Sequence, residues 1–161
     1  MDMLRDVHDF HQKFGLVDAY ASTPSINNKE LMEFRAKFLV EEAEEFAEAI
    51  RENHLVKAFD ALIDIVYVAL GTALMMNVPW LKGWQAVHFA NMQKVRVLRK
   101  EQSGRRSQYD VVKPSGWISP EPVLGALIQT HEFYASREAA CHCDHGSIPK
   151  VMRRCVEDRG E

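Results

Sequence analysis

The sequence predicts an all-α protein, a helical bundle of four to five helices. Three observations carry this. Apolar residues recur at three- and four-residue spacing through successive long segments. The most apolar stretch, Leu55 to Met76, has the length of a helix rather than of a strand. No run of convincing strand length alternates polar and apolar residues. A chain of 161 residues suits one domain with a real hydrophobic core.

Each element follows in order. Met1 to Phe14 reads as a first helix, with Leu4, Val7, Phe10, His11 and Phe14 at helical spacing and His8 and His11 on its polar edge. Gly15 suits the helix end. Ala19 to Asn28 is a polar loop carrying Pro24, in which Ser25 or Asn27 offers a cap. Lys29 to Glu52 is a long second helix whose buried stripe is Leu31, Phe34, Phe38, Leu39, Ala43, Phe46 and Ile50. Asn53-His54 breaks it. Leu55 to Met76 is the third helix, the most apolar in the chain; its segment Ala61 to Leu70 is apolar nearly all round and so expected to be buried, and small Gly71 and Ala73 permit close approach of a neighbour.

Asn77-Val78-Pro79 ends that helix. Trp80 to Leu98 is the fourth, with Trp84, Val87, His88, Met92 and Val95 on one side. Arg99 to Tyr109 is a basic, polar loop. Asp110 to Trp117 is a short extended segment with a turn, and Pro120-Glu121-Pro122 opens a last helix running to about Ala140. The expected division is a domain over residues 1–122 and a C-terminal helix with a loose tail over 123–161. Cys141-His142-Cys143-Asp144-His145, with Cys155 beyond, has zinc-ligand residue types but not the spacing of a finger or ribbon.

The chemistry concentrates in two acidic groups. Successive helical residues are roughly 100° apart, so Glu41 and Glu45 share one side of the second helix and Glu42 lies within about 100° of both. Asp60 and Asp64 are one turn apart on the third helix. Core residues are interleaved with these acids, and Asp64 sits inside Leu62-Ile63-Asp64-Ile65-Val66. A buried aspartate needs a partner or a metal, and carboxylates packed together protonate or recruit counter-charge. Several carboxylates at close range are a site for a hard cation, Mg²⁺ first and Mn²⁺ next. The competing reading is the solvated face of an ordinary amphipathic helix, which already accounts for Glu44 and Glu48.

Composition narrows the classes. A net charge of −3, with both signs mixed along most of the chain and no basic block, argues against a nucleic-acid partner. The charged N-terminus lacks an apolar signal core, and the run Ile65 to Met76 is too short to span a bilayer, so no membrane partner is expected. Three cysteines near the C-terminus make no disulfide framework, and a cytoplasmic location follows as the expectation.

The order Glu41-Glu42-x-x-Glu45, then Asp64 ahead of Ile65-Val66-Tyr67-Val68-Ala69-Leu70-Gly71-Thr72-Ala73, resembles the all-α nucleotide pyrophosphohydrolase superfamily. That group includes MazG-like proteins, dimeric dUTPases and phosphoribosyl-ATP pyrophosphohydrolases. The later residues Val87-His88-x-x-Asn91-Met92-x-Lys94-Val95 and Lys113-Pro114-x-Gly116-Trp117-x-x-Pro120 resemble its phosphoribosyl-ATP pyrophosphohydrolase-like branch. The likeness covers roughly Met1 to Pro122. One departure stands out: the usual second motif, Glu-x-x-Asp, has Ala61 in its Glu position, with Asp60 one residue earlier.

The resemblance implies Mg²⁺-dependent hydrolysis of a nucleoside triphosphate between its α- and β-phosphates, giving a monophosphate and pyrophosphate. It implies Glu41, Glu42, Glu45 and Asp64 as metal-holding and catalytic residues, with Asp60 either a further ligand or a surface acid. Lys94, with Lys113 or Arg96, would neutralise phosphate, and Asn91 offers both a donor and an acceptor. A homodimer or tetramer is implied by the same likeness. A helical nucleotide-binding or regulatory module that has lost catalysis competes, on the strength of Ala61. A ferritin-like di-iron protein does not fit, because none of the seven histidines has Glu three residues before it.

Overall fold

A computed structural model describes residues 2–141 of the chain, with side-chain surroundings through Tyr134. The cysteine- and histidine-bearing tail beyond Cys141 therefore lies outside the described residues. Among the described residues five α-helices carry the fold: α1 (Met3–Lys13), α2 (Lys29–Arg51), α3 (Leu55–Met75), α4 (Trp80–Met92) and α5 (Glu121–Cys141). Two short strands, β1 (Val95–Arg96) and β2 (Val111–Val112), pair antiparallel with Val95 opposite Val112 and Arg96 opposite Val111.

Helix ends are set by local chemistry. Asp2 caps α1 by accepting from the Arg5 amide, and Gly15 follows with φ +69°, a left-handed turn that costs glycine least. The α2 cap is Asn28, whose side chain accepts from the Leu31 amide, rather than Ser25 or Asn27. His54 Nδ1 accepts from the Lys57 amide to start α3. Asn53 and Asn77, both at positive φ, turn the chain after α2 and α3, a conformation asparagine tolerates. The fourth helix is shorter than its periodicity predicts. It stops at Met92, and residues 95–96 leave it to pair with β2, so ladder hydrogen bonds replace the helical ones there.

The bundle has two packed groups. α2 lies along α3, α1 also packs on α3, and α4 packs against α5. Asn77 links the groups: its amide donates to the Ser22 carbonyl, while its Oδ1 lies 3.2 Å from a His131 ring nitrogen. The loop before α2 is fastened to the end of α3 by the Ala21 and Ser25 amides, which donate to the Met75 and Met76 carbonyls.

The buried line of α2 differs from the expected stripe. Arg35, Glu42 and Ala49 are its buried residues, spaced by two turns, while Phe34, Ala43 and Ile50 are exposed. Leu31, Phe38, Leu39 and Phe46 remain half-buried, and the most buried places go to Ala49 and two charged residues. The third helix is likewise open on one side, with Leu62, Ile63 and Val66 exposed. By length and composition alone α3 would cross a bilayer, contrary to the shorter apolar run read from sequence; here its other side packs against α1 and α2. His11, expected on a polar edge, is 2% exposed and sits between α1 and α3.

Candidate active site on the second and third helices

Antiparallel packing of α2 on α3 brings Asp64 and Asp60 within electrostatic reach of Glu42. Glu42 is buried at 8% exposure, and its carboxyl pKa is pushed up first by burial, then by Asp64, Glu45, Glu41 and Asp60 in that order. Every named charge acting on Glu42 is negative. Among the described residues the ion pairs are His8–Asp9, Lys57–Glu52 and Arg105–Asp110, so none of the five acids has a cation of its own. Asp60 acts on Glu42 alongside the other three.

Around Glu42 the site is open. Glu41, Glu45 and Asp60 are exposed, and Asp64 is half-buried rather than fully buried, because none of the described residues covers the side of α3 that carries it. Among the described residues no group of three or more Asp, Glu, His or Cys side chains is gathered closely enough to hold a metal ion as placed. The donor chemistry nonetheless suits a hard divalent cation: five carboxylates and neither sulfur nor imidazole. Ala61, where the resemblance puts a glutamate, is 3% exposed and contributes packing alone.

A second cluster forms where α4 meets the strands. The Trp117 indole donates to the Ala90 carbonyl at 2.8 Å and so anchors the turn after β2 to the last turn of α4. Lys113 Nζ lies 4.3 Å and Lys94 Nζ 6.0 Å from the centre of the Trp117 ring. The strand register explains this, since pairing Val95 with Val112 sets residue 94 beside residue 113. Asn91 lies exposed in the same last turn of α4. Arg96 is exposed on β1 and takes no part in the contacts to that ring.

A third cluster gives no sequence signal beyond a charged residue within an apolar stripe. The Arg35 guanidinium is buried between α2 and α3, donating from Nη2 to the Val68 carbonyl at 2.7 Å and from Nε to Thr72 Oγ1 at 3.0 Å. Burial holds its pKa below the usual arginine value. His11 Nδ1 lies 2.9 Å from the Tyr20 hydroxyl, and burial, followed by the nearby Arg35 charge, lowers the His11 pKa. A Cβ on Gly71 would stand 2.9 Å from His11 Nε2 and 3.0 Å from Arg35 Nη2, so glycine is what allows both side chains in.

Two cavities lie elsewhere. A polar one of about 430 Å³ opens between residues 18–28 and the start of α2. An apolar one of about 400 Å³ lies between α4 and α5, against Trp80, Trp84 and Leu127.

Comparison with known proteins adds one positive finding. The family model described as phosphoribosyl-ATP pyrophosphohydrolase matches residues 7–91, just over half of the chain, from α1 through Asn91. No curated protein matches the chain.

Proposed function

This chain belongs to the phosphoribosyl-ATP pyrophosphohydrolase family, and we propose that it is a Mg²⁺-dependent nucleoside triphosphate pyrophosphohydrolase, cleaving the α–β phosphoanhydride of a ribo- or deoxyribonucleotide to the monophosphate and pyrophosphate. The observation that carries the reading is Glu42: a buried carboxyl ringed by four more acids without a cation. Such a site stores repulsion that a divalent ion removes.

Glu41, Glu42, Glu45 and Asp64 would hold Mg²⁺, or Mn²⁺ in its place, with Asp60 at the margin. Bound there, the ion would neutralise phosphate oxygens and acidify the attacking water. One of the three glutamates takes the proton of that water as general base. Lys94 and Lys113 meet the phosphates as point charges, Asn91 hydrogen-bonds the nucleotide, and Arg96 adds charge from β1. The proposed hydrolase domain is residues 1–122, with residues 123–161 as an appendage, and the proposed location is the cytoplasm, without nucleic-acid or membrane partners.

A homodimer or tetramer is part of the proposal. Phe59, Ile63, Leu81, Trp84, Phe89 and Met92 are each at least half exposed, which is more large apolar surface than a lone protomer keeps in water. Sedimentation of the full chain at micromolar concentration is expected to give twice or four times the monomer mass; a monomer across the accessible range contradicts this.

A catalytically impaired nucleotide-binding or regulatory module is the second reading. It is favoured by buried Ala61 at the usual glutamate position. Pyrophosphate release from a panel of dNTPs and NTPs with Mg²⁺ or Mn²⁺ separates the two. Turnover of at least one nucleotide supports the enzyme. No turnover, together with no metal binding by calorimetry, leaves only the module.

A further inference from the structure

We propose that Arg35 is a positioning residue, fixing the register of α2 against α3 that sets Glu42 opposite Asp64. The inference rests on the reading of the acids as a metal site, but it concerns a residue in none of the acidic positions.

The argument starts from cost. Arg35 is 6% exposed and has no carboxylate partner among the described residues. A buried, unpaired cation is expensive, and an apolar residue of similar volume would pack there with less penalty. A best-attested role of a buried polar group is to select one register over its neighbours. Arg35 has the bonds for that role. Nη2 and Nε reach the Val68 carbonyl and the Thr72 hydroxyl, one turn apart on α3. Thr72 Oγ1 itself donates to the Val68 carbonyl at 2.8 Å, so the three groups lock together. The face phenyl of Phe38, 5.5 Å from the guanidinium carbon, covers the cation from its own helix.

The lock aligns with the acids. Glu42 lies seven residues beyond Arg35, two turns or about 10.5 Å along the same face of α2. Asp64 lies four residues, one turn, before Val68 on α3, and the helices run antiparallel. A slip of α3 by one turn, about 5.4 Å, would leave Arg35 facing a different carbonyl without the threonine hydroxyl and would carry Asp64 past Glu42. Apolar side chains on α2 do not forbid such a slip as sharply as two directed hydrogen bonds from one planar group. His11 from α1 and Arg35 share the space that Gly71 leaves open on α3, so the register is also tied to α1.

The test uses the full chain carrying Arg35→Met, which keeps volume and removes both bonds, beside Arg35→Lys. Two readouts are taken. Pulsed electron spin resonance measures the distance between nitroxides at Glu48→Cys on α2 and Lys57→Cys on α3, without metal and with the native cysteines replaced by serine. Mn²⁺ alone is then titrated by calorimetry against the unlabelled chains. Arg35→Met is expected to shift or broaden the distance by several ångströms and weaken Mn²⁺ at least tenfold, with Arg35→Lys recovering part of both. Folded Arg35→Met with the wild-type distance and affinity overturns the proposal. If that variant does not fold, Thr72→Val, which removes one acceptor, is measured in the same way, and unchanged values there overturn it as well. Wild-type chain that binds no Mn²⁺ sinks the metal reading, while the distance arm still decides the role of Arg35.

Discussion

Glu42→Gln is expected to raise the melting temperature of the metal-free protein and to abolish turnover. The two effects share a cause. The Glu42 carboxyl is held above its ordinary pKa by burial and by Asp64, Glu45, Glu41 and Asp60, so its ionised form is disfavoured in the folded state. An acid whose folded pKa exceeds its unfolded pKa binds more protons when folded. Its penalty is absent below the unfolded pKa, and stability is lost as pH rises from there through the folded value. The metal-free wild type should therefore lose stability as pH climbs from the ordinary glutamate range toward neutrality, and Glu42→Gln should flatten that slope. Each kcal/mol of repulsion relieved would correspond to roughly 2–4 °C in a chain of this length.

Added Mg²⁺ should reverse the ranking. At about 100 times its dissociation constant an ion stabilises by ~2.7 kcal/mol, which only the wild type should gain in full. Scanning calorimetry of both proteins, with and without Mg²⁺, at pH 5 and pH 7.5, checks every part. A variant melting below the wild type without metal, or one that keeps near-normal pyrophosphate release, removes Glu42 from the ion-holding group.

Much of the helix order was legible because periodicity and helix-end residues report on local structure. α2, α3 and α5 begin and end within a residue or so of where their apolar spacing, Asn53-His54 and Pro120–Pro122 place them. What failed depended on contacts distant in sequence. The periodicity of Trp80 to Leu98 continued past Met92, but the end of α4 was decided by β2, fifteen or so residues away. The expected stripe of α2 holds at half-buried Leu31, Phe38, Leu39 and Phe46 but misses Arg35, because hydrophobicity alone cannot show that it finds a carbonyl and a hydroxyl on α3. His11 was assigned to a polar edge for the same reason: its burial depends on Tyr20 as partner and on Gly71 making room. The acidic positions are readable from spacing; the structure shows Asp64, Glu45, Glu41 and Asp60 acting electrostatically on Glu42. The half-exposure of Asp64 is not legible in that spacing, since it reflects a face of α3 that none of the described elements covers. Lys94 and Lys113 stood out as separate cations; that one tryptophan ring gathers both is a consequence of strand register.

That ring makes the second large effect measurable. Replacing Lys94 and Lys113 by alanine is expected to lower kcat/KM by about 10- to 100-fold each, the size of one lost hydrogen bond to a charged group, and the pair by roughly 10³-fold. The melting temperature should fall by only about 1–4 °C for each substitution. Both ammoniums rest on the Trp117 face, a contact worth about 0.5–1 kcal/mol where water has access. A phosphate oxygen competes well against it, since a charge-assisted bond contributes about 1.5–3 kcal/mol. Nucleotide binding should therefore draw the lysines off the indole and change its fluorescence. Trp117→Phe, measured against the constant background of Trp80 and Trp84, identifies the source of that signal. Arg96→Ala should cost less than either lysine substitution, because Arg96 is on β1 and makes no contact with the ring. The lysines would be returned to the solvated surface by a double variant whose kcat/KM stays within twofold of wild type. They would likewise lose their role if nucleotide left Trp117 emission unchanged while being hydrolysed at the normal rate.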